Sequence, residues 1–401
     1  MKVSIVVGGR WHAFDLAREL LGEGVLHRLI TPYPKFKTRQ WGIPDEKVVS
    51  LPIKLLLEKI IYKMGGELLS MQSQAFLHQL FALKAARHLE GSTLVHGWSG
   101  FSEPSLRWAK ERGLPFILER SSAHMEVQCQ LMRDEFGNLG LAWLETHKKL
   151  VEQELREYEL ADRVAVPSLF VKNSFLSRGF SENRLIHNPF GTNLKNFSPG
   201  AKPDRVFRII YVGSLSVRKG IRYLVEGFKQ ASLPNSELWL VGGSTKETPL
   251  LLGEPDERIQ CFGHVPQLEL VNYYRNSSVF VMPSIEEGLA MVQVQALACG
   301  LPLICTTNTG GEDLLQMSGD RAVEIEDNVK EYPAGFTIPP RNSKAIAASL
   351  CSLAQDNILL KSKQHSALSL RRSHLDWKSY GKRAIEAYLA LCQEGNSAID
   401  M

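Results

Sequence analysis

Residues 279–305 constrain the fold of this 401-residue chain more than any other stretch. An apolar run, Val279-Phe280-Val281-Met282, reads as a buried strand and leads into the polar turn Glu286-Glu287-Gly288. A small-residue helix follows (Gln295, Ala296, Leu297, Ala298) and stops at Gly300-Leu301-Pro302, before a second strand, Leu303-Ile304-Cys305. Strand, acidic loop, helix and strand make one βαβ unit, and the loop falls at the carboxyl end of a strand, where open parallel sheets bind ligands. Gly288 is expected to let a ligand approach the backbone, and amides at the helix start can hold an anion.

The same alternation runs through the whole chain in two halves. The first opens with Val3-Ser4-Ile5-Val6-Val7 and the turn Gly8-Gly9-Arg10, with a helix through Phe14, Leu16, Ala17, Leu20 and Leu21. Further strands are expected at Leu29–Thr31, Thr93–His96, Pro115–Leu118 and Arg163–Val166. A linker carrying Pro199, Gly200 and Pro203 precedes a second half, whose strands are Val206–Val212, Leu238–Val241 and the two already named. Helical patterns between the strands favour parallel sheets. Apolar content of 44% and charged content of 22% are globular values. A net charge of +4 is far from that of a dedicated nucleic-acid binder, so no nucleic-acid partner is expected. The six cysteines form no CxxC pair and read as buried thiols in a reducing compartment. No run approaches the length of a membrane span, and the first strand starts too early for a signal peptide.

Motif spacing carries a resemblance. Pro283-Ser284-x-x-Glu287-Gly288, a second polar residue eight positions after Glu287, then Ala296-x-Ala298-x-Gly300-x-Pro302, resembles the nucleotide-sugar signature of retaining glycosyltransferase family 4. That resemblance implies an α/β GT-B fold, two Rossmann-like domains facing a cleft. Its expected boundaries are 1–196 for the acceptor-side domain, 205–373 for the nucleotide-sugar domain, and 374–392 for a C-terminal helix crossing back to the first domain. In the family the first Glu faces the donor sugar and a second carboxylate holds the ribose. Here Glu287 matches the first, while the second position is Gln295, a weaker, uncharged acceptor. Only Glu287 has the family spacing, so Glu286 is expected to matter little. The loop Gly213-Ser214-Leu215-Ser216-Val217-Arg218-Lys219-Gly220 resembles the family's diphosphate loop, with Lys219 at the family lysine and Arg218 beside it in place of an arginine at Ser214.

The implied donor-binding set is then Gly8, Gly9, Arg218, Lys219, Glu287, Gly288, Leu289, Ala290 and Gln295, with Glu287, His124 and Lys219 as catalytic residues. The family's histidine follows a Gly-x-Pro turn and a strand, matched by Gly113-Leu114-Pro115 and Phe116–Leu118. His124 is the first choice for it, with Glu119 and Arg120 as cleft neighbours, and His96 the second. For His12 a capping role and a functional one are equally open. Asn188–Asn193 resembles the hinge-side segment, and Trp377 and Tyr380 fit the apolar face of the terminal helix.

The implied reaction moves a sugar from a nucleoside diphosphate sugar to a saccharide or lipid-linked acceptor, with retention, without a metal ion or cofactor. A nucleotide-sugar epimerase, a phosphorylase and a nucleotide-binding module without turnover are the alternatives. Cytoplasmic localisation is expected. Residues 33–63 bring Lys35, Lys37, Lys54, Lys59 and Lys63 close to Tyr33, Phe36, Trp41 and Leu55–Leu57. This stretch is either a peripheral contact with the inner face of the plasma membrane or a surface helix packed on the first domain. The resemblance is weakest over residues 31–90, where acceptor specificity should reside.

Overall fold

Apolar runs of four to six residues bounded by turns build two open sheets. A computed structural model describes all residues except 320, 321, 371–375 and 398–401. Strands β1 (Val3–Val6), β2 (Leu26–Thr31), β3 (Val48–Ser50), β4 (Leu94–Trp98), β5 (Phe116–Glu119), β6 (Arg163–Val166) and β7 (Leu185–His187) form the first sheet. Their order is β3-β2-β1-β4-β5-β6-β7, all parallel. Strands β8 (Phe207–Val212), β9 (Ser236–Val241), β10 (Ile259–Gly263), β11 (Val279–Met282), β12 (Leu303–Thr306), β13 (Val323–Ile325), β14 (Val329–Tyr332) and β15 (Gly335–Ile338) form the second. Here the order is β10-β9-β8-β11-β12-β15-β14-β13, parallel except at β13–β14–β15. Central strands such as β1, β5, β11 and β12 are buried along their whole length, as a sheet covered by helices on both faces requires.

The two-domain α/β arrangement expected from the sequence is therefore the fold. Of the strands not expected from the sequence, β3, β7, β10, β13 and β14 lie at or beside sheet edges, where short and partly polar segments suffice, while β15 is an interior strand buried along its length between β12 and β14. β13, for example, is exposed throughout. The helix Trp377–Ser397 returns to the first domain and packs on the helix Ala13–Gly22. A Cβ at Gly381 would lie 2.5 Å from that of Glu19, so a side chain there would separate the two helices. Trp377, Tyr380 and Tyr388 are buried under this crossing. Residues 371–375, which include the expected start of that segment at 374, lie outside the described residues. The expected burial of the cysteines holds for Cys299 and Cys305, whereas Cys129, Cys351 and Cys392 are half-buried and Cys261 is exposed on β10.

Candidate active site

The loop after β8 makes a tight turn, Val217–Lys219, and then needs a left-handed residue before the helix Ile221–Ala231. Gly220 supplies it at φ 65°, with the Pro283 carbonyl oxygen 2.1 Å from where a Cβ would stand. This locks the loop to the end of β11 and brings Arg218 and Lys219 onto the acidic turn. Arg218 Nη1 donates to Glu287 Oε2 at 2.9 Å and to the Glu286 carbonyl at 2.9 Å, and Lys219 Nζ donates to the same Glu287 oxygen. Burial would raise the Glu287 acid, but the charges of Lys219 and Arg218 outweigh it and hold the group below the usual carboxylate range. Glu287, Arg218 and Lys219 thus converge as the motif spacing implies.

Glu286 corrects an expectation. It is fully buried, and its carboxylate accepts the Ala123 backbone N–H and the Gln128 Nε2 amide, each at 3.0 Å. Both donors belong to the first domain, so Glu286 ties the domains together. Gly288 also serves a purpose other than the expected one: the Ser121 carbonyl oxygen lies 1.7 Å from its would-be Cβ. The close partner is first-domain backbone. Ser168 Oγ then donates to the Gly288 carbonyl at 2.6 Å.

Between the domains lies a cavity of about 650 Å³ whose lining includes Arg218, Glu287, Leu289, Ser121, His12 and Asp15. Ala290 stands at the start of the helix Met291–Ala298 beside it. Gly8 and Gly9 line a neighbouring cavity of about 720 Å³ within the first domain, which shares Arg10, Trp11, Ser121 and Ser122 with the first. Gly8 sits under the Phe101 ring. The structure thus separates the two glycines from the Arg218–Glu287 cluster that they were grouped with.

Gln295 is also set apart. It is buried, its Oε1 accepts from the Tyr274 hydroxyl at 3.1 Å, and it does not line the cavity with Glu287. The side chain follows the inward face of a helix whose residues 293–298 are all buried.

His124, the first-choice histidine, lies on the far side of its own loop. Its ring packs among Tyr158, Phe175 and Phe180, with centroids 5.0–5.9 Å away. Burial, with Arg120 and Arg178 nearby, pulls its pKa down to about 4, so it is a neutral core group. The reason is local: the backbone turns after Ser122 and Glu286 captures the Ala123 N–H, which sends the next side chain inward. His96 is buried against Glu119 and Tyr388 behind the cleft. The histidine that reaches the interdomain cavity is His12, whose Nε2 lies 3.1 Å from Glu119 Oε1. Its one sequence signal was its place just after Gly8-Gly9 at a strand's carboxyl end.

Residues 206–356 match the profile of the family described as glycosyl transferases group 1. This region is thus similar to group 1 glycosyltransferases, and the chain has the GT-B fold of its structural neighbours. Among curated relatives, the glycogen synthase of Mycobacterium tuberculosis is 24% identical over 218 residues, covering 53% of this chain and 49% of the relative. The O-antigen chain mannosyltransferase B of Escherichia coli is 25% identical over 190 residues, 45% of each chain. The chain matches about half the length of these relatives. Among solved structures, the Anabaena protein Alr3699/HepE in complex with UDP superposes with a TM-score of 0.66 at 14% identity. That match covers 97% of this chain and all of the other.

Proposed function

We propose that this protein is a hexosyltransferase that moves a sugar from a nucleoside diphosphate sugar to a saccharide or lipid-linked acceptor, with retention and without a metal ion. The observation that carries this reading is the partly buried cluster of two cations on one carboxylate, Arg218 and Lys219 on Glu287, at the wall of the interdomain cavity. Cations held at a helix start can take over a diphosphate as its charge grows in the transition state. Glu287, released from them in part, is then free to accept sugar hydroxyls. The bond from the anomeric carbon to the diphosphate oxygen breaks, its electron pair goes to the phosphate, and the acceptor oxygen bonds to the same face of the carbon. The acceptor's proton passes to the departing phosphate oxygen.

Likeness to a UDP-bound structure and to a mannosyltransferase of O-antigen chains supports a nucleotide sugar as donor and polysaccharide or glycoconjugate synthesis as the setting. Such an acceptor suits a cytoplasmic enzyme held at the inner face of the plasma membrane by the exposed stripe of the helix beginning at Ile53.

The test is a panel of UDP- and GDP-sugars incubated with and without saccharide and lipid-linked acceptors, with the product's anomeric configuration read by NMR. Acceptor-dependent product of retained configuration is expected. Epimerised donor in the absence of acceptor, donor formed from a glycoside and phosphate, or nucleotide binding with no turnover would each replace this reading with one of its alternatives.

A further inference from the structure

His12 meets the interdomain cavity with its hydrogen bonding settled from behind. Its Nε2 lies 3.1 Å from Glu119 Oε1, and His96 Nε2 lies 3.1 Å from Oε2 of the same carboxylate. An ionised carboxylate only accepts, so both Nε2 atoms carry protons. The Tyr388 hydroxyl, 2.7 Å from His96 Nδ1, then donates to it from the C-terminal helix. This leaves one ring nitrogen over: His12 Nδ1, an acceptor in this tautomer, to which no hydrogen bond is made among the described residues. Phe190 of the hinge segment lies 4.0 Å from the His12 ring, centroid to centroid, and Trp98 5.2 Å, which clamp its orientation.

We propose that His12 is an acceptor-binding residue, whose Nδ1 takes the hydrogen bond of the attacking sugar hydroxyl while Glu119 and His96 fix it in that tautomer. The inference rests on the sugar-transfer reading and adds to it the group that aims the acceptor. The hydroxyl donates to Nδ1 while the acceptor docks; at transfer this hydrogen bond breaks, the same proton turns to the departing diphosphate oxygen, and the acceptor oxygen bonds to the anomeric carbon as the bond from that carbon to the diphosphate breaks. The charged and titratable groups around the ring are Glu119, bonded to it, Tyr380, edge-on to it, and Asp15 beside it, with Arg10 and Arg18 near Asp15 and Arg218 and Glu287 lining the same cavity.

Two variants and the parent test this. His12→Phe keeps an aromatic ring against Phe190 and removes the acceptor nitrogen, while the side-chain oxygen of His12→Asn can stand where Nδ1 was. Acceptor-dependent kcat/KM should drop about 100-fold in His12→Phe, the scale of a misplaced reactant, with the acceptor KM affected and the donor KM unchanged. His12→Asn should recover about tenfold of that loss. Independently, ¹H–¹⁵N NMR of the parent's His12 ring at neutral pH should show the Nε2-protonated tautomer. A proton on Nδ1, or a His12→Phe variant within about twofold of the parent, would overturn the proposal. A parent that transfers from no nucleotide sugar would instead overturn the sugar-transfer reading.

Discussion

Neighbouring carboxylates at 286 and 287 face different partners, and their substitutions should separate accordingly. Glu286→Ala leaves the Ala123 N–H and the Gln128 amide without acceptors in a buried site, at a cost of about 1–3 kcal/mol for each unsatisfied donor. The melting temperature should fall, and turnover with it, because the lost bonds cross the cleft. Glu287→Gln should lower the melting temperature too, since Arg218 and Lys219 lose their shared counter-charge, but should cut turnover far more than the loss of folded protein explains, as measured by donor consumption in the presence of acceptor. Lys219→Ala should raise donor KM and lower kcat, with about 1.5–3 kcal/mol lost from kcat/KM, the range of a charged hydrogen bond. Gln295→Glu should not tighten nucleotide binding. A carboxylate there would be desolvated beside the Tyr274 hydroxyl, away from the cavity, and calorimetry with UDP or GDP should show unaltered affinity while the melting point drops. The Arg218–Lys219–Glu287 cluster was legible in the sequence because each member sits within a few residues of a glycine or proline that fixes its loop. The Glu286 clamp and the His12–Glu119 pair were not, since each joins residues more than 100 positions apart whose meeting depends on how whole loops pack.

Elements show the same division between local pattern and tertiary approach. Strands with continuous apolar runs were readable; edge strands, which need little burial, were not, and neither was the buried β15, whose Gly335-Phe336-Thr337-Ile338 is too short and mixed to read as an apolar run. The helix Ile53–Ala86 is instructive because its expected basic face is only partly present. Lys54 is buried, its Nζ bonded to Glu58 Oε1 at 2.6 Å, and Trp41 packs on Phe14 and under Arg10. What remains outward is an apolar stripe, Ile53, Leu56 and Ile60, continued by Tyr62 and Met64 at the Gly66 kink, with Lys59 and Lys63 beside it and Phe36 nearby. Residues 53, 56 and 60 share one helical face, and a basic amphipathic face of this kind suits an anionic bilayer. Lysines near such a surface contribute about 1 kcal/mol each, so Lys35, Lys37, Lys59 and Lys63 together should hold the protein there reversibly. Co-sedimentation with anionic liposomes should be strong at low salt, decline as salt rises, and be lost when Lys59 and Lys63 become glutamate. Binding that survives those changes, or is missing at low salt, would assign the stripe to another role.

On the scale of the whole molecule, the cleft is closed by contacts that the two domains make directly. The Glu286 carboxylate and the Gly288 backbone meet the loop 121–123, and the Leu169 N–H donates to Asp313 Oδ1 at 2.9 Å. On another helix of the first domain, the buried Glu135 carboxylate accepts from Arg341 Nε at 2.6 Å and from the Tyr223 hydroxyl at 3.0 Å, both in the second domain. Relative domain motion is the default where an interface is polar and small, so these bonds set the balance between closed and open forms. Glu135→Ala removes a charged hydrogen bond that only the closed form makes, about 1.5–3 kcal/mol, which shifts that balance by a factor of about 10–150 toward open. The radius of gyration from small-angle scattering should therefore rise in Glu135→Ala, and the apparent donor affinity should weaken, because part of any binding energy must first close the cleft. Arg341→Ala should do the same in smaller measure, because the Tyr223 bond to Glu135 remains, and the double variant should add little to Glu135→Ala, which already deletes the shared bond. Unchanged scattering in all three would mean that closure rests on the Glu286 and Gly288 contacts alone, and the same measurement on Glu286→Ala would then show the expansion.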